Sequence, residues 1–178
     1  MDVDSMYFSP RLATERHRVV TQSDSNERVI DMFAGVGPFA VPMAAHGADV
    51  VAAELNESAV EYLLINAEQN DVVDNLTVAS GDVKALSDSY TDWADRLIMN
   101  LPHSADEFLQ TAVRLAGDDC VIHYYDIQHE DTLFEPGINA IRSAAEQTYT
   151  VSVETRHEVR SYAPHEYNIC LDVRLQRR

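Results

Sequence analysis

Residues 31–40 read DMFAGVGPFA, and this stretch decides the fold. An apolar run that begins at Val29 is typical of a strand, and Gly35 and Gly37 interrupt it before a helical pattern starts in PFAVPMAAH. Glycine lets the backbone approach a ligand closely, so a strand, a glycine turn and a helix start predict a cradle for a phosphate or a nucleoside. Asp31 places an acid at the end of that strand. The motif alone does not separate one cofactor from another.

Strand and helix patterns alternate along the rest of the chain. Strand-type runs are ADVVAAEL, LTVASGD, ADRLIMNLP and DCVIHYYDI, and helical runs are NESAVEYLLINAEQN, SADEFLQTAVRLA and GINAIRSAAEQT. The end of the chain reads YTVSVETRHEV and YNICLDVRLQ, two strands without room for a helix between them. This order predicts an α/β fold with a mainly parallel seven-stranded sheet and an antiparallel C-terminal hairpin that provides one antiparallel edge strand. The ligand site is expected at the carboxyl ends of the strands.

The composition indicates a single soluble domain. The chain has 178 residues, and 46% of them are hydrophobic, which is enough to bury a core. No apolar stretch approaches the roughly 20 residues of a membrane span, and the start does not resemble a signal peptide. We therefore expect a cytoplasmic protein without a membrane partner.

The charge is strongly acidic. Thirteen basic residues face thirty acidic ones, the net charge is -17, and Lys84 is the only lysine. Such a bias favours a surface adapted to high salt, although an ordinary acidic protein with basic partners remains an alternative. It also argues against a polyanionic substrate. Cys120 and Cys170 lie in apolar runs and are expected to be buried thiols, and no metal site is predicted.

Two acids narrow the choice of cofactor. Glu54 closes the second strand 19 residues after Gly35, a spacing at which an acid can accept both ribose hydroxyls of a nicotinamide cofactor or of S-adenosylmethionine. Asp31 would repel a pyrophosphate but attract the ammonium group of a methionine moiety, which favours S-adenosylmethionine. Asp82, after the third strand, is placed to read an adenine amine. For each acid the alternative is a surface or turn-capping role.

The stretch NLPHSADEF, residues 100–108, follows the fourth strand. Asn100 ends that strand and Pro102 stiffens the turn, so an amide and its neighbouring carbonyls are held beside the cofactor pocket. Such a group can orient a planar nitrogen toward a methyl sulfonium. An ordinary strand-ending turn is the alternative. His103, on the rim, is either a substrate contact or a surface histidine.

The segments YFSPRLATER, DMFAGVGPF, AELN, GDV, RLIMNLPHSADEFL, VIHYY and VRSYAPHEYNICLDV together resemble the archaeal and eukaryotic tRNA (guanine37-N1)-methyltransferases. The resemblance runs from about Tyr7 to the C-terminus, and NLP and RSYAP are its most specific parts. It implies the class I S-adenosylmethionine-dependent methyltransferase fold, with tRNA as the substrate. A related enzyme class, the wybutosine-pathway aminocarboxypropyl transferases, is the alternative. A cofactor-binding fragment without activity and a nicotinamide oxidoreductase are weaker alternatives.

The resemblance also implies site residues. Glu15 matches the proposed general base for the N1 proton of guanine, although it could instead pair with Arg18 or Arg11. Tyr7 matches an aromatic near the base, and Asn100 matches the amide that orients it, so Glu15, Asn100 and Tyr7 form the catalytic set. The cofactor-binding set comprises Arg16, Asp31, Phe33, Gly35, Gly37, Glu54, Leu55, Asp82, Val83 and Asn100. In HYYD, His123, Tyr124 and Tyr125 are interpreted as core residues or as pocket residues.

The resemblance covers only part of the family's pattern. Residues 1–27 are interpreted as the remnant of an upstream region and residues 28–178 as the methyltransferase domain. Family members carry a tRNA-binding domain and a charge-stabilising arginine upstream of YFSPR, whereas Tyr7 follows only six residues here. We therefore expect that a further domain supports tRNA binding, and that this chain alone binds the cofactor but transfers methyl groups slowly or not at all.

Overall fold

The computed structural model describes residues 12–178, which form two compact units that divide between Leu86 and Ser87. The strands belong to a seven-stranded mixed sheet, with three strands in the first unit and four in the second. The predicted α/β class, with its antiparallel C-terminal hairpin, is confirmed. Tyr7 and Arg11 lie outside the described residues.

The first unit alternates helices and strands. Its elements are α1 (Ala13–Val20), β1 (Arg28–Asp31), α2 (Ala40–Ala45), β2 (Asp49–Glu54), α3 (Glu57–Gln69) and β3 (Leu76–Ser80). β2 lies between β1 and β3 and runs parallel to both. Residues 50–53 of β2 are all buried, as expected for a parallel strand covered on both faces. Asp31 and Glu54 are therefore the last residues of neighbouring parallel strands and lie at the same, carboxyl end of the sheet.

The start of α3 illustrates how local sequence fixes an element. Asn56 accepts a hydrogen bond from the backbone N–H of Ser58 at 3.0 Å, which caps the first turn, and Glu57 adds a favourable negative charge there. Ala59, Leu63 and Ala67 recur every four residues and form the buried face. The predicted helix over NESAVEYLLINAEQN is confirmed to within one residue at each end.

The second unit contains four strands. After a 3-10 helix (Val83–Asp88) that spans the division come β4 (Ala94–Met99), a second 3-10 helix (Ala105–Phe108), α4 (Leu109–Leu115), β5 (Ala116–His129), α5 (Glu135–Ala145), β6 (Tyr149–Ala163) and β7 (Glu166–Arg177). The strand order is β4-β5-β7-β6, with β4 parallel to β5 and β7 antiparallel to both of its neighbours. None of the helices among residues 12–178 is long and apolar enough to cross a membrane.

The prediction that the antiparallel strand lies at the sheet edge is wrong. β7 lies inside the sheet between β5 and β6, and β6 forms the edge. Residues 168–173 of β7 are all buried, whereas β6 alternates between exposed and half-buried positions, as an edge strand with one wet face does. The lack of polar alternation in NICLDV, against the clear alternation in YTVSVETRHEV, is the sequence signal that indicates this order.

Candidate cofactor and substrate sites

The glycine turn after β1 has two glycines with different roles. Gly35 and Gly37 have φ values of +54° and +89°, in the region that favours glycine. A Cβ on Gly37 would lie 2.5 Å from Cδ1 of Leu63 and 2.7 Å from Cγ2 of Val41, whereas one on Gly35 would meet none of the described residues within 4 Å. Gly37 therefore allows close packing inside the unit, and Gly35 leaves an open side on the turn.

Glu54 closes this turn from the neighbouring strand. One carboxylate oxygen accepts the N–H of Gly35 at 2.7 Å, and the other accepts the N–H of Asn56, also at 2.7 Å. The side-chain amide of Asn66 donates to the carbonyl of Val36 at 2.8 Å and joins α3 to the same turn. Each oxygen of Glu54 keeps a further lone pair, so the carboxylate can still accept hydrogen bonds from a ligand.

Asp31, the last residue of β1, is a buried acid with few hydrogen-bond partners. Its side chain is 1% exposed, and one oxygen accepts the N–H of Phe33 at 3.4 Å. Its other oxygen, Oδ2, has no hydrogen-bond partner among the described residues. Burial, opposed by the Phe33 N–H and assisted by the negative charge of Glu54, raises the pKa of Asp31 to about 7. The hydrogen bond from the Phe33 N–H thus occupies one oxygen of Asp31 only, and Oδ2 is available to a hydrogen-bond donor or to a cationic group of a ligand.

The remaining cofactor candidates of the first unit differ in exposure. Leu55 is 73% exposed directly after Glu54, and Phe33 is half-buried in the glycine turn. Asp82 is exposed, and its carboxylate accepts the N–H of Lys84 at 2.9 Å, while Val83 is buried. Asp31 and Glu54 are the last residues of β1 and β2, and Asp82 lies two residues after the end of β3. Three acids therefore lie at or just beyond the carboxyl ends of three adjacent parallel strands.

Glu15 lies in α1 and is engaged in an ion pair. It is 4% exposed, and Arg18 donates to both of its oxygens, from Nε at 2.8 Å and from a terminal nitrogen at 2.9 Å. The pairing with Arg18 weighed in the sequence analysis is therefore present. Arg16, the neighbouring cofactor candidate, is half-buried on the same helix. A bidentate pair holds the Glu15 carboxylate in one orientation.

In the second unit, the loop after β4 is tied to two other strands. Asn100 is half-buried at the start of the loop, and the carbonyl of Pro102 accepts the N–H of Ile127 in β5 at 3.1 Å. His103 packs edge-on against Tyr162 of β6, with ring centroids 5.5 Å apart, and its Nε2 lies 3.3 Å from the Tyr162 hydroxyl. The rigidity predicted for this turn thus has a physical basis in contacts to β5 and β6.

A buried polar network in the second unit was not predicted. A terminal nitrogen of Arg96 lies 2.6 Å from Nε2 of His123, and Nδ1 of His123 lies 2.7 Å from Asp172. A guanidinium can only donate hydrogen bonds, so Nε2 of His123 accepts one from Arg96. Nδ1 therefore carries the hydrogen and donates a hydrogen bond to the Asp172 carboxylate. His123, Cys170 and Asp172 place possible metal ligands within 4.8 Å of one another, but the adjacent positive charge of Arg96 opposes a metal cation there.

This network assigns His123 to the core, one of the two interpretations of HYYD, and Tyr125 is buried as well. Cys120 and Cys170 are buried thiols, as predicted. The sequence signal for the network was an acid, Asp172, inside the apolar run ICLDV. Such an acid indicates a buried partner but does not say which one.

Comparisons with known proteins assign the family. The model of the TRM5/TYW2 methyltransferase domain matches residues 1–154. The chain belongs to the TRM5/TYW2 methyltransferase domain family. It is 41% identical over 177 residues to the tRNA (guanine(37)-N(1))-methyltransferase Trm5b of Pyrococcus abyssi, covering 98% of this chain and 52% of that protein. The chain therefore spans about half the length of that relative.

Members of both enzyme classes of the TRM5/TYW2 family are similar to this chain. The tRNA(Phe) (4-demethylwyosine(37)-C(7)) aminocarboxypropyltransferase of Methanocaldococcus jannaschii is 31% identical over 181 residues, covering 99% of this chain and 71% of that protein. The crystal structure of M. jannaschii TYW2 in complex with AdoMet superposes with a TM-score of 0.93 at 30% identity, over 100% of this chain and 81% of that one. These findings confirm the resemblance drawn from the motifs and the class I methyltransferase fold.

Proposed function

We propose that this chain is the catalytic part of an S-adenosylmethionine-dependent tRNA (guanine37-N1)-methyltransferase. The choice of cofactor rests on the buried Asp31 carboxylate beside the glycine turn, whose Oδ2 has no hydrogen-bond partner among residues 12–178. A second carboxylate, Glu54, accepts the N–H of Gly35 in the same turn. Two acids at this turn disfavour the pyrophosphate of a nicotinamide cofactor and favour a cofactor with positive charge. M. jannaschii TYW2, a structural relative, was solved with AdoMet.

Each candidate of the first unit then has a proposed role. Asp31 accepts the methionine ammonium group through Oδ2, and Glu54 accepts the ribose hydroxyls through its remaining lone pairs. Gly35 leaves room for the ligand, Leu55 covers the adenine, and Asp82 reads its amine. Bound S-adenosylmethionine supplies an electrophilic methyl group. The full proposed cofactor set is Arg16, Asp31, Phe33, Gly35, Gly37, Glu54, Leu55, Asp82, Val83 and Asn100.

The transfer step requires a deprotonated guanine N1. We assign the removal of that proton to Glu15, the orientation of the base to Asn100 and a contact with the base to Tyr7. The ion pair with Arg18 supports this role because it keeps Glu15 in one orientation, although a base that takes up a proton must give up part of that pair. In this step the proton would move from guanine N1 to a Glu15 oxygen and N1 would bond to the methyl carbon. The bond from sulfur to that methyl group would break with its electron pair left on sulfur, so that S-adenosylhomocysteine would be the leaving group.

Aminocarboxypropyl transfer is the second candidate function, and the 31% identical M. jannaschii relative favours it. The higher identity, 41% to the P. abyssi methyltransferase, supports methyl transfer as the first choice. Because the chain spans 52% of that relative, we propose that tRNA recognition also uses a part of the longer protein that this chain does not match. The proposal further includes a cytoplasmic, salt-adapted protein in which residues 28–178 form the methyltransferase domain and residues 1–27 the remnant of the upstream region.

The test begins with the cofactor. Calorimetric titration in concentrated KCl should show binding of S-adenosylmethionine and none of NAD. The chain, alone and fused to the unmatched N-terminal part of the P. abyssi protein, is then incubated with S-adenosylmethionine and tRNA. Mass spectrometry of the nucleosides distinguishes a methyl group from the larger aminocarboxypropyl group, and mass spectrometry of nuclease fragments of the tRNA locates the modified position. We expect 1-methylguanosine at position 37, with faster transfer by the fusion.

A variant of the same fusion separates chemistry from binding. Glu15→Gln should bind S-adenosylmethionine like the parent and lose about 100-fold or more in single-turnover methyl transfer, the usual scale of general base catalysis. Glu27→Gln, in the loop before β1, serves as the control. Binding of NAD alone, or an aminocarboxypropyl product, would overturn the proposed function.

A further inference from the structure

The peptide that joins Gly35 to Val36 differs from its neighbours in the glycine turn. On either side of it, the N–H of Ala34 donates to the carbonyl of Ala53 at 2.8 Å, and the N–H of Gly37 donates to the carbonyl of Ala34 at 2.9 Å. None of residues 12–178 accepts the N–H of Val36 or donates to the carbonyl of Gly35. Backbone polar groups of a folded protein are normally paired, so this peptide is available to a ligand beside the open side of Gly35.

Two side chains hold the backbone on either side of the Gly35–Val36 peptide. Glu54 accepts the N–H of Gly35 at 2.7 Å, and the side-chain amide of Asn66 donates to the carbonyl of Val36 at 2.8 Å. Asn66 is the one hydrogen-bond donor to that carbonyl within the part of the chain that the structure describes. The orientation of the Gly35–Val36 peptide therefore depends on both side chains, yet only Glu54 received a role above.

The two glycines make this support necessary. Gly35 and Gly37 flank Val36 with positive φ values, and a glycine has no Cβ that restricts rotation of the adjoining peptides. A rotation of the peptide between Val36 and Gly37 would turn the Val36 carbonyl away from α3 and would break the hydrogen bond from Gly37 to Ala34. The hydrogen bond from Asn66 opposes that rotation.

α3 holds Val36 by its side chain as well as by its carbonyl. The Val36 side chain is buried against Ala59 and packs against Tyr62, both of which belong to α3. Asn66 lies on the same helix and is half-buried, so its hydrogen bond is partly shielded from competing water. Val36 is thus fixed to one rigid element, and the peptide that precedes it is held in place.

We propose that Asn66 is a positioning residue for cofactor binding, which holds the Gly35–Val36 peptide in the orientation that the ligand meets. The inference rests on the proposed function, since S-adenosylmethionine is the ligand assigned to this turn. A turn that is already ordered loses less conformational entropy on binding than a turn that the ligand must order. Loss of the Asn66 amide therefore weakens the cofactor through the turn rather than through a contact of its own.

Calorimetric titration of the 178-residue chain with S-adenosylmethionine measures the effect. Asn66→Ala should bind about 3- to 10-fold more weakly than the parent, the range of one hydrogen bond between neutral groups. Asn66→Asp keeps the shape of the side chain but loses the donor, so its loss should fall in the same range in concentrated KCl, which screens the added charge. Asn70→Ala and Asn70→Asp are the matched controls, because the Asn70 amide donates at 2.8 Å to the backbone carbonyl of Asn66 and not to the turn. Both controls should bind like the parent.

Amide hydrogen exchange in the ligand-free chain separates a positioning role from a general loss of stability. In Asn66→Ala the N–H groups of Gly35 and Gly37 should exchange about 3- to 10-fold faster than in the parent, because the turn opens more often. The N–H of Leu63, inside α3, should exchange at the parent's rate. Saturation with S-adenosylmethionine should restore slow exchange at both glycines.

Three results would overturn the inference. These are unchanged affinity of Asn66→Ala, affinity of Asn66→Asp equal to the parent's, and exchange at Leu63 that rises by the same factor as at the glycines, which would mean that α3 itself unfolds. Failure of the proposed function looks different. If the parent binds no S-adenosylmethionine, that function is lost and the inference with it, whereas equally tight binding by the parent and all variants leaves the function intact and removes the role of Asn66.

Discussion

At the scale of single residues, Asp31 connects sequence to function most directly. Its carboxyl group is buried, has a pKa of about 7 against a usual 3.8, and leaves one oxygen without a partner among the described residues. Between these two values the folded chain holds a proton that the unfolded chain has released. The contribution of Asp31 to the free energy of unfolding therefore falls as the pH rises from about 4 to about 7.

Asp31→Asn should remove this dependence, because the amide stays neutral at every pH. We expect the variant to match the parent near pH 4 and to exceed its free energy of unfolding by about 2–4 kcal/mol near pH 8, the upper figure being three pKa units at about 1.4 kcal/mol each. Urea unfolding at both pH values measures the difference. A difference that does not change with pH would mean that Asp31 is ionised at both. The same substitution should weaken S-adenosylmethionine, so stability and binding oppose each other here.

At the scale of elements, the glycine turn between β1 and α2 connects the proposed cofactor site, at the carboxyl ends of the strands, to α3. Gly37 lies against Leu63 of α3, and Asn66 of α3 donates to the carbonyl of Val36 in the same turn. Gly35 and Gly37 both have positive φ values, yet only Gly37 lacks room for a methyl group. The two positions therefore separate backbone strain from overpacking.

Gly37→Ala should lower the free energy of unfolding by about 2–5 kcal/mol, since left-handed strain of about 1–2 kcal/mol adds to about 1–3 kcal/mol for a clash that displaces Leu63 and Val41. Gly35→Ala is the matched variant and should lose only the strain, about 1–2 kcal/mol. For S-adenosylmethionine the order should reverse, because the open side of Gly35 faces the proposed ligand. Urea denaturation of both variants measures the loss of stability, and calorimetric titration measures the loss of affinity for S-adenosylmethionine. Equal stability losses would show that α3 moves away freely.

At the scale of the whole molecule, the net charge of -17 sets the response to salt. Exposed ion pairs such as Arg174 with Asp119 and Arg177 with Asp118 are weakened by salt, but each is worth about 1 kcal/mol at most. The excess of seventeen negative charges repels itself throughout the chain, and salt shortens the range of that repulsion from about 10 Å at 0.1 M to about 3 Å at 1 M. Relief of repulsion should exceed the loss of the few ion pairs.

We therefore expect the melting temperature to rise by about 5–10 °C when KCl is raised from about 0.1 M to about 2 M, which corresponds to roughly 2–3 kcal/mol for a chain of this size. A sucrose solution of matched osmolality controls for exclusion of solute from the surface and should give a smaller rise. An unchanged or lower melting temperature in KCl would contradict salt adaptation. Calorimetric scans at constant pH make the comparison.

The sequence by itself determined the elements and the family. Periodic apolar patterns predict the seven strands and the helices α2 to α5, because burial on one face or on two follows a local repeat, whereas α1 was not predicted. Motifs such as NLP and RSYAP are specific enough to identify relatives. It also placed Asp31, Glu54 and Asp82 after adjacent strand ends, since parallel strands share one edge. These inferences need only neighbouring residues and a repeating backbone geometry.

Only the tertiary structure decided which groups meet. The insertion of β7 between β5 and β6, the pairing of Glu15 with Arg18 and the network of Arg96, His123 and Asp172 all depend on which side chains become buried together. A cavity beside the NLPH loop is lined by His103 and Tyr162, which lie 59 residues apart in the chain, and no local pattern encodes their approach. The physical reason is that the energy of a polar group depends on its partners and on its removal from water, and both are properties of the folded chain.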